Sequence, residues 1–137
     1  MKSRTLPVLL AILALIASSL ACSFGGELSL TNARTALDED GEQATTVFGP
    51  NSTIYAVADL SNAPQGTVAS SRWFAVDVPG EVPDTLIDEA EYTVSDDSFT
   101  GTVYFSLAPA TAWPSGSYAV ELYLNGELIQ TLSYSVQ

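Results

Sequence analysis

The stretch GSYAVELYLNGELIQTLSYSVQ, residues 116–137, decides how this chain folds. Tyr118, Val120, Leu122 and Leu124 alternate with Ala119, Glu121, Tyr123 and Asn125, the period of a half-buried strand. After Gly126, the residues Leu128, Leu132, Tyr134 and Val136 again hold even positions. A two-residue turn at Asn125-Gly126 would pair Leu124 with Glu127 and set even residues opposite odd ones. Thr131, Ser133 and Ser135 would then share the face of Val120, because a one-residue slip turns every side chain over. A three-residue loop, Leu124–Gly126 with Gly126 left-handed, pairs Leu122 with Leu128 and keeps both apolar sets together. The sequence therefore predicts a type I turn with a bulge, in spite of an Asn-Gly pair that signals a type I′ turn. Gln130 is the one polar residue on that face.

Working back from this hairpin, the same period recurs between turn signals. Strands are expected over Glu27–Leu37, Thr45–Phe48, Thr53–Leu60, Thr67–Val78 and Thr100–Leu107. In the fourth, Ala69, Ser71, Trp73 and Ala75 share one face, and Trp73 belongs in the core. Arg72, on the other face, pairs with a strand neighbour or meets solvent. Thr85–Val94, with Asp88, Glu89 and Glu91, reads as an edge strand or a single helical turn. Asp38–Glu42, Gly49–Ser52, Asn62–Gly66, Pro79–Pro83, Asp96–Ser98 and Pro109–Gly116 punctuate the chain. The outcome is an all-β chain of about seven strands, an antiparallel β-sandwich.

Gly116-Ser117-Tyr118-Ala119-Val120 resembles the start of strand F in immunoglobulin-like and fibronectin-type-III-like domains. The resemblance implies that Tyr118 stands where their corner tyrosine does, and Val120 where antibody domains place a cysteine. Trp73 is similar to their central-strand tryptophan. The resemblance spans roughly Glu27–Gln137 and implies an immunoglobulin-like sandwich without its disulfide, since Cys22 is the only cysteine.

Ahead of the sandwich, Lys2 and Arg4 precede the apolar run Leu6–Ala17, the layout of an export signal. That run falls short of the roughly 20 apolar residues a membrane span needs. Ser18-Ser19-Leu20-Ala21-Cys22 resembles the lipobox of bacterial lipoproteins, with Ser19 where that family usually has leucine and Leu20 one step later. The resemblance implies cleavage before Cys22 and acylation of its thiol. Residues 1–21 are then the signal peptide, 22–26 the lipidated cysteine and a short tether, and 27–137 the sandwich. At about 3.5 Å per residue, the four residues Ser23–Gly26 reach roughly 14 Å. The domain is thus expected close to a cell membrane or cell surface, outside the cytoplasm. As a whole the chain is similar to bacterial lipoproteins with one immunoglobulin-like domain and no assigned activity.

Composition narrows the chemistry. Beyond the leader, two arginines (Arg34 and Arg72) stand against sixteen acidic residues, a net of −14. Such a surface repels phosphate backbones, so no nucleic acid is expected as a partner. With no histidine anywhere and no lysine after the leader, a Ser–His–acid triad, a His-ligated zinc site and a lysine Schiff base are excluded. The chain is expected not to be an enzyme and to need no cofactor, with calcium the one candidate. Asp38, Asp40 and Glu42 surround Gly41, and carboxylate oxygens suit calcium. Tyr123, with Tyr55, Tyr92 and Tyr104 on strands, offers faces for stacking on sugar rings, and Trp113 beside Pro114 either packs across the end of the core or does the same. The leading expectation is a membrane-anchored binding or structural module meeting a protein partner, with strand addition at an exposed edge as one route. The alternative is a carbohydrate-binding module that takes a polysaccharide through Trp113 and Tyr123, with calcium-stabilised acidic loops.

Overall fold

Period-two alternation becomes two stacked sheets in the computed structural model, which describes residues 26–137. The leader, the lipobox and Cys22 lie outside the described residues. Eight strands follow in order: β1 (Ser29–Ala36), β2 (Val47–Phe48), β3 (Ile54–Pro64), β4 (Val68–Asp77), β5 (Thr85–Thr93), β6 (Ser98–Leu107), β7 (Gly116–Leu124) and β8 (Glu127–Val136). One sheet has three strands in the order β1-β3-β6, and the other has five in the order β2-β8-β7-β4-β5. All pairings are antiparallel except β2 with β8. The segment that reads as strand or helical turn is a strand, β5, and the count is eight, close to the seven or so expected.

Alternation also sets the inner rows. Ile54, Ala56, Ala58 and Leu60 of β3 meet Ala69, Trp73 and Ala75 of β4 and Tyr118, Val120 and Leu122 of β7 in one buried cluster. The fourth residue of the β4 row, Ser71, is buried too, and its Oγ accepts the Trp73 indole N–H at 3.1 Å. Arg72, on the outer side, lies 3.6 Å from Glu89 of β5. Tyr118 donates its hydroxyl to the Pro114 carbonyl at 2.6 Å, the bond a corner tyrosine makes to backbone a few residues upstream.

The β7–β8 turn corrects the expectation drawn from its apolar pattern. Leu124 pairs with Glu127 across a two-residue turn, and Asn125 and Gly126 both have positive φ, 51° and 82°, as a type I′ turn requires. Asn125 is held there by β4, its N–H donating to the Val68 carbonyl and its Oδ1 accepting from the Val68 N–H. The change of phase still occurs, but further along. Tyr123 pairs with Leu128 and Leu122 with Gln130, so Ile129 is the extra residue of a bulge. From there Val120 faces Leu132 and Tyr118 faces Tyr134, and the apolar sets share one side. Leu128 and Ile129 are left exposed.

Tyr134 sits at the centre of the aromatic core, stacked on Tyr118 at 5.5 Å and edge-on to Phe48 and Trp73. Its buried hydroxyl has no hydrogen-bond partner among the described residues. Burial, reinforced by Tyr118, pushes the Tyr134 phenol above the ordinary tyrosine range. Because the folded value is raised, the unfolded chain gives up this proton first as pH rises. The stabilisation is therefore complete below roughly pH 10, the unperturbed tyrosine value, and is lost above it. Tyr134→Phe removes an unpaired buried oxygen while keeping the ring. It should leave stability unchanged or raise it by about 1 kcal/mol, and shift alkaline unfolding to higher pH. Denaturant titrations at neutral pH and above pH 10 check both; a loss on substitution would contradict the unpaired hydroxyl.

Candidate interaction site

A sandwich of three strands over five has four outer edges, and the sequence treats them differently. β1 carries a bulge at Asn32-Ala33, and its Ala36 bridges to Ala44. β2 is two residues long; the part of β8 it leaves uncovered begins with Glu127 and holds the bulge at Ile129. β5 has its own bulge at Ile87 and the carboxylates of Asp88, Glu89 and Glu91. Bulges, charges and short strands are the usual devices against unwanted pairing. β6 has none of them. Its ten residues, SFTGTVYFSL, include no charge and no proline, and the bulge in its pairing with β3 falls on Ser61-Asn62 of β3.

Beside the free edge of β6, the five-stranded sheet overhangs. By register with Ala69, Ser71 and Trp73, the residues Tyr92, Ala90 and Asp88 stand on the inner face of β5. An inner-facing row is normally covered, yet all three are exposed. Tyr92 reaches the opposite sheet, its ring edge-on to Phe99 at 6.1 Å. Between the two strands runs a groove of about 500 Å³ lined by Glu91, Tyr92, Phe99, Val103, Tyr104 and Phe105, among others. Its rim is acidic. Glu91 is part of its lining, and on the outer face of β6 the charge of Glu39 holds the Tyr104 phenol above its ordinary value. Asp96 and Asp97 fall in the β5–β6 connection.

The residues predicted from the sequence occupy other places. Cys22 is outside the described residues. In the acidic loop, the Asp38 carboxylate accepts the N–H groups of Glu42 and Gln43, at 3.1 and 2.9 Å. The loop's interior holds a cation, the Arg34 guanidinium, which donates to the carbonyls of Asn32, Asp40 and Gly41 at 2.7, 3.0 and 3.0 Å. Among the described residues no three acidic side chains are gathered closely enough to share a metal ion. Trp113 packs edge-on against Tyr118 at 6.2 Å, and its indole N–H donates to the Ser52 carbonyl at 2.8 Å. Tyr123, half-buried, donates to Glu121 at 3.0 Å on the outer face of the five-stranded sheet. Tyr55 and Tyr104 lie 5.9 Å apart on the outer face of the other sheet. Of the five candidate sugar-stacking residues only Tyr55 and Tyr104 share a sheet face; Trp113, Tyr123 and Tyr92 lie elsewhere. Sequence reasoning singled out strand edges as a class, but neither β6 nor Phe99. The one local signal was the absence of charge and proline from Ser98–Leu107.

No protein-family model matches this sequence, and no curated protein does. Solved structures do match in shape. An immunoglobulin-like protein from Pseudomonas aeruginosa aligns over 84% of this chain and 100% of its own, at 16% identity and a TM-score of 0.51. The fold is immunoglobulin-like. An alkylpurine DNA glycosylase from Pseudomonas fluorescens, solved on DNA containing an abasic site analog, matches with TM-score 0.54 and 13% identity. That alignment covers 82% of this chain and 31% of the glycosylase. A mutant β-glucosidase from Listeria innocua in complex with laminaribiose matches with TM-score 0.51 and 12% identity, over 81% of this chain and 16% of the enzyme. In the two enzymes the chain spans less than a third of the neighbour's length, and at these identities the likeness is one of fold.

Proposed function

We propose that this chain is an extracytoplasmic lipoprotein, anchored through acyl groups on Cys22, whose immunoglobulin-like sandwich is a binding module without catalysis of its own. The observation that carries the reading is the open side of the sandwich, where β6 has an unguarded edge and the inner face of β5 is uncovered. Exposed strand edges recognise extended segments through main-chain hydrogen bonds, and no catalytic side chain is needed for that. The absence of histidine, and of lysine beyond Lys2, agrees with such a role, and a net charge of −14 over residues 22–137 disfavours nucleic acid as the partner. Several acyl chains hold a protein firmly, since each buried CH₂ contributes about 0.8 kcal/mol.

Two measurements on intact cells test this. Trypsin should release Cys22–Arg34 as the N-terminal peptide of the mature chain, with its mass increased by the acyl groups; finding it unmodified overturns the anchor. Cross-linking should recover a protein neighbour that is absent after Cys22→Ser releases the chain from the membrane. Failure to recover any neighbour from anchored protein overturns the binding role.

A further inference from the structure

The open side of the sandwich presents an edge on β6 and an exposed inner row on β5, the two surfaces that one further strand would occupy. Neighbouring strands lie about 4.8 Å apart, and stacked sheets pack about 10 Å apart. A segment paired to the free edge of β6 would make the smaller sheet four-stranded and would lie above the inner face of β5. It would cover Ala90 and Asp88, inner positions left exposed among the described residues. Its inward side chains would enter the groove between Tyr92, Phe99, Val103 and Phe105.

Charge selects the occupant. Glu91 lines the groove, Asp88 stands in the exposed inner row of β5, and Asp96 and Asp97 fall in the loop at one end. The two arginines of the described residues are engaged elsewhere, Arg34 by loop carbonyls and Arg72 beside Glu89. A second copy brings the same net charge of −14 over its residues 22–137, and its own β6 carries no cation to offset it. We infer that β6 accepts, as a fourth strand of its sheet, an extended segment of a partner protein in which apolar residues alternate with lysine or arginine. The inference rests on the binding-module reading and names the partner chemistry at that site.

The probe is a synthetic nine-residue peptide of alternating valine and lysine, with its valine–glutamate counterpart as control. The intact lipoprotein is kept in a zwitterionic detergent, and its backbone amides are followed by hydrogen exchange. The basic peptide should slow exchange in β6, chiefly at Gly101–Ser106, while the acidic peptide leaves it unchanged. Main-chain pairing uses the N–H groups on one side of the probe. N-methylation of its valines or of its lysines, but not both, should therefore weaken binding about tenfold or more, as loss of two or more hydrogen bonds implies. Glu91→Gln with Asp88→Asn should weaken the basic peptide several-fold and flatten its salt dependence, leaving the melting temperature unchanged because both side chains are exposed.

Protection outside β6, equal binding of both peptides, or no protection at about 1 mM peptide (affinities weaker than this fall below roughly 4 kcal/mol) each overturns the inference. So does a dimer whose β6 amides are protected without peptide, which would make a second copy the occupant. If cells yield a cross-linked protein partner while β6 stays unprotected, the binding module stands and this site falls. If neither appears, both fall.

Discussion

Replacing Trp73 with alanine should lower the unfolding free energy by about 3–5 kcal/mol, the range for emptying a buried aromatic site. The side chain is 1% exposed, edge-on to Tyr134 at 6.2 Å, and its backbone lies between Val120 of β7 and Asp88 of β5. Two effects combine. The cavity removes contacts from the aromatic cluster, and the Ser71 hydroxyl, fully buried, loses the indole N–H it accepts. Against a total stability of about 5–15 kcal/mol for a domain of this kind, that is a large share. Trp73→Phe separates the terms, because it restores most of the volume but not the N–H. It should recover more than half of the loss. Urea unfolding decides the matter: the midpoint should fall with the slope unchanged. A loss under about 2 kcal/mol would mean that the core closes around the gap.

How far the sequence could be read is plain from particular residues. The faces of β3, β4 and β7 were legible because each strand is covered on one side and, Val57 and Ala119 apart, at least partly exposed on the other. Trp73 fell among small residues on the covered side. The corner tyrosine was legible through its setting, Gly-Ser-Tyr-Ala-Val. At the β7–β8 turn two signals conflicted, Asn-Gly for a two-residue turn and the even-numbered apolar set for a three-residue one. The chain satisfies both by placing a bulge at Ile129, and alternation cannot locate a bulge when Leu128 and Ile129 are both apolar. β5 was ambiguous because neither of its faces is covered, so selection for burial has left no period in TLIDEAEYT. The open side of the sandwich was not legible at all. Which strand forms an edge depends on the order of strands across the sheets, and Ser98–Leu107 reads the same at an edge as in the centre.

Arg34→Ala should cost about 3 kcal/mol, which is unusual for a partly exposed residue. Its effect begins with the backbone of β1. Leu30 faces the core, so Arg34, four residues on, would face the core too if the strand were regular. The extra residue in the bulge at Asn32-Ala33, with Asn32 at φ 53°, turns Arg34 to the outer side opposite Val57. There the guanidinium enters the acidic loop and satisfies three carbonyls. Gly41 makes room for it: a Cβ at that position would stand 2.5 Å from the Arg34 Nε and Nη2, and its φ of 71° suits glycine. Hydrogen bonds from charged donors contribute about 1.5–3 kcal/mol each, but three on one side chain do not add in full. The loop would also be left with Asp38, Glu39, Asp40 and Glu42 and no cation among them. Arg34→Lys should rescue little, because an ammonium lacks the planar fork that reaches all three oxygens. Gly41→Ala should cost about 1–2 kcal/mol through the same contact. Asp40→Asn should change stability by less than about 0.5 kcal/mol, since Asp40 serves the arginine through its carbonyl. Calcium supplies the contrast. With a guanidinium already at the centre of the loop, added calcium should leave the melting temperature where it is. A calcium-dependent rise that Asp40→Asn abolishes would show that the carboxylates, rather than Arg34, hold this loop in place.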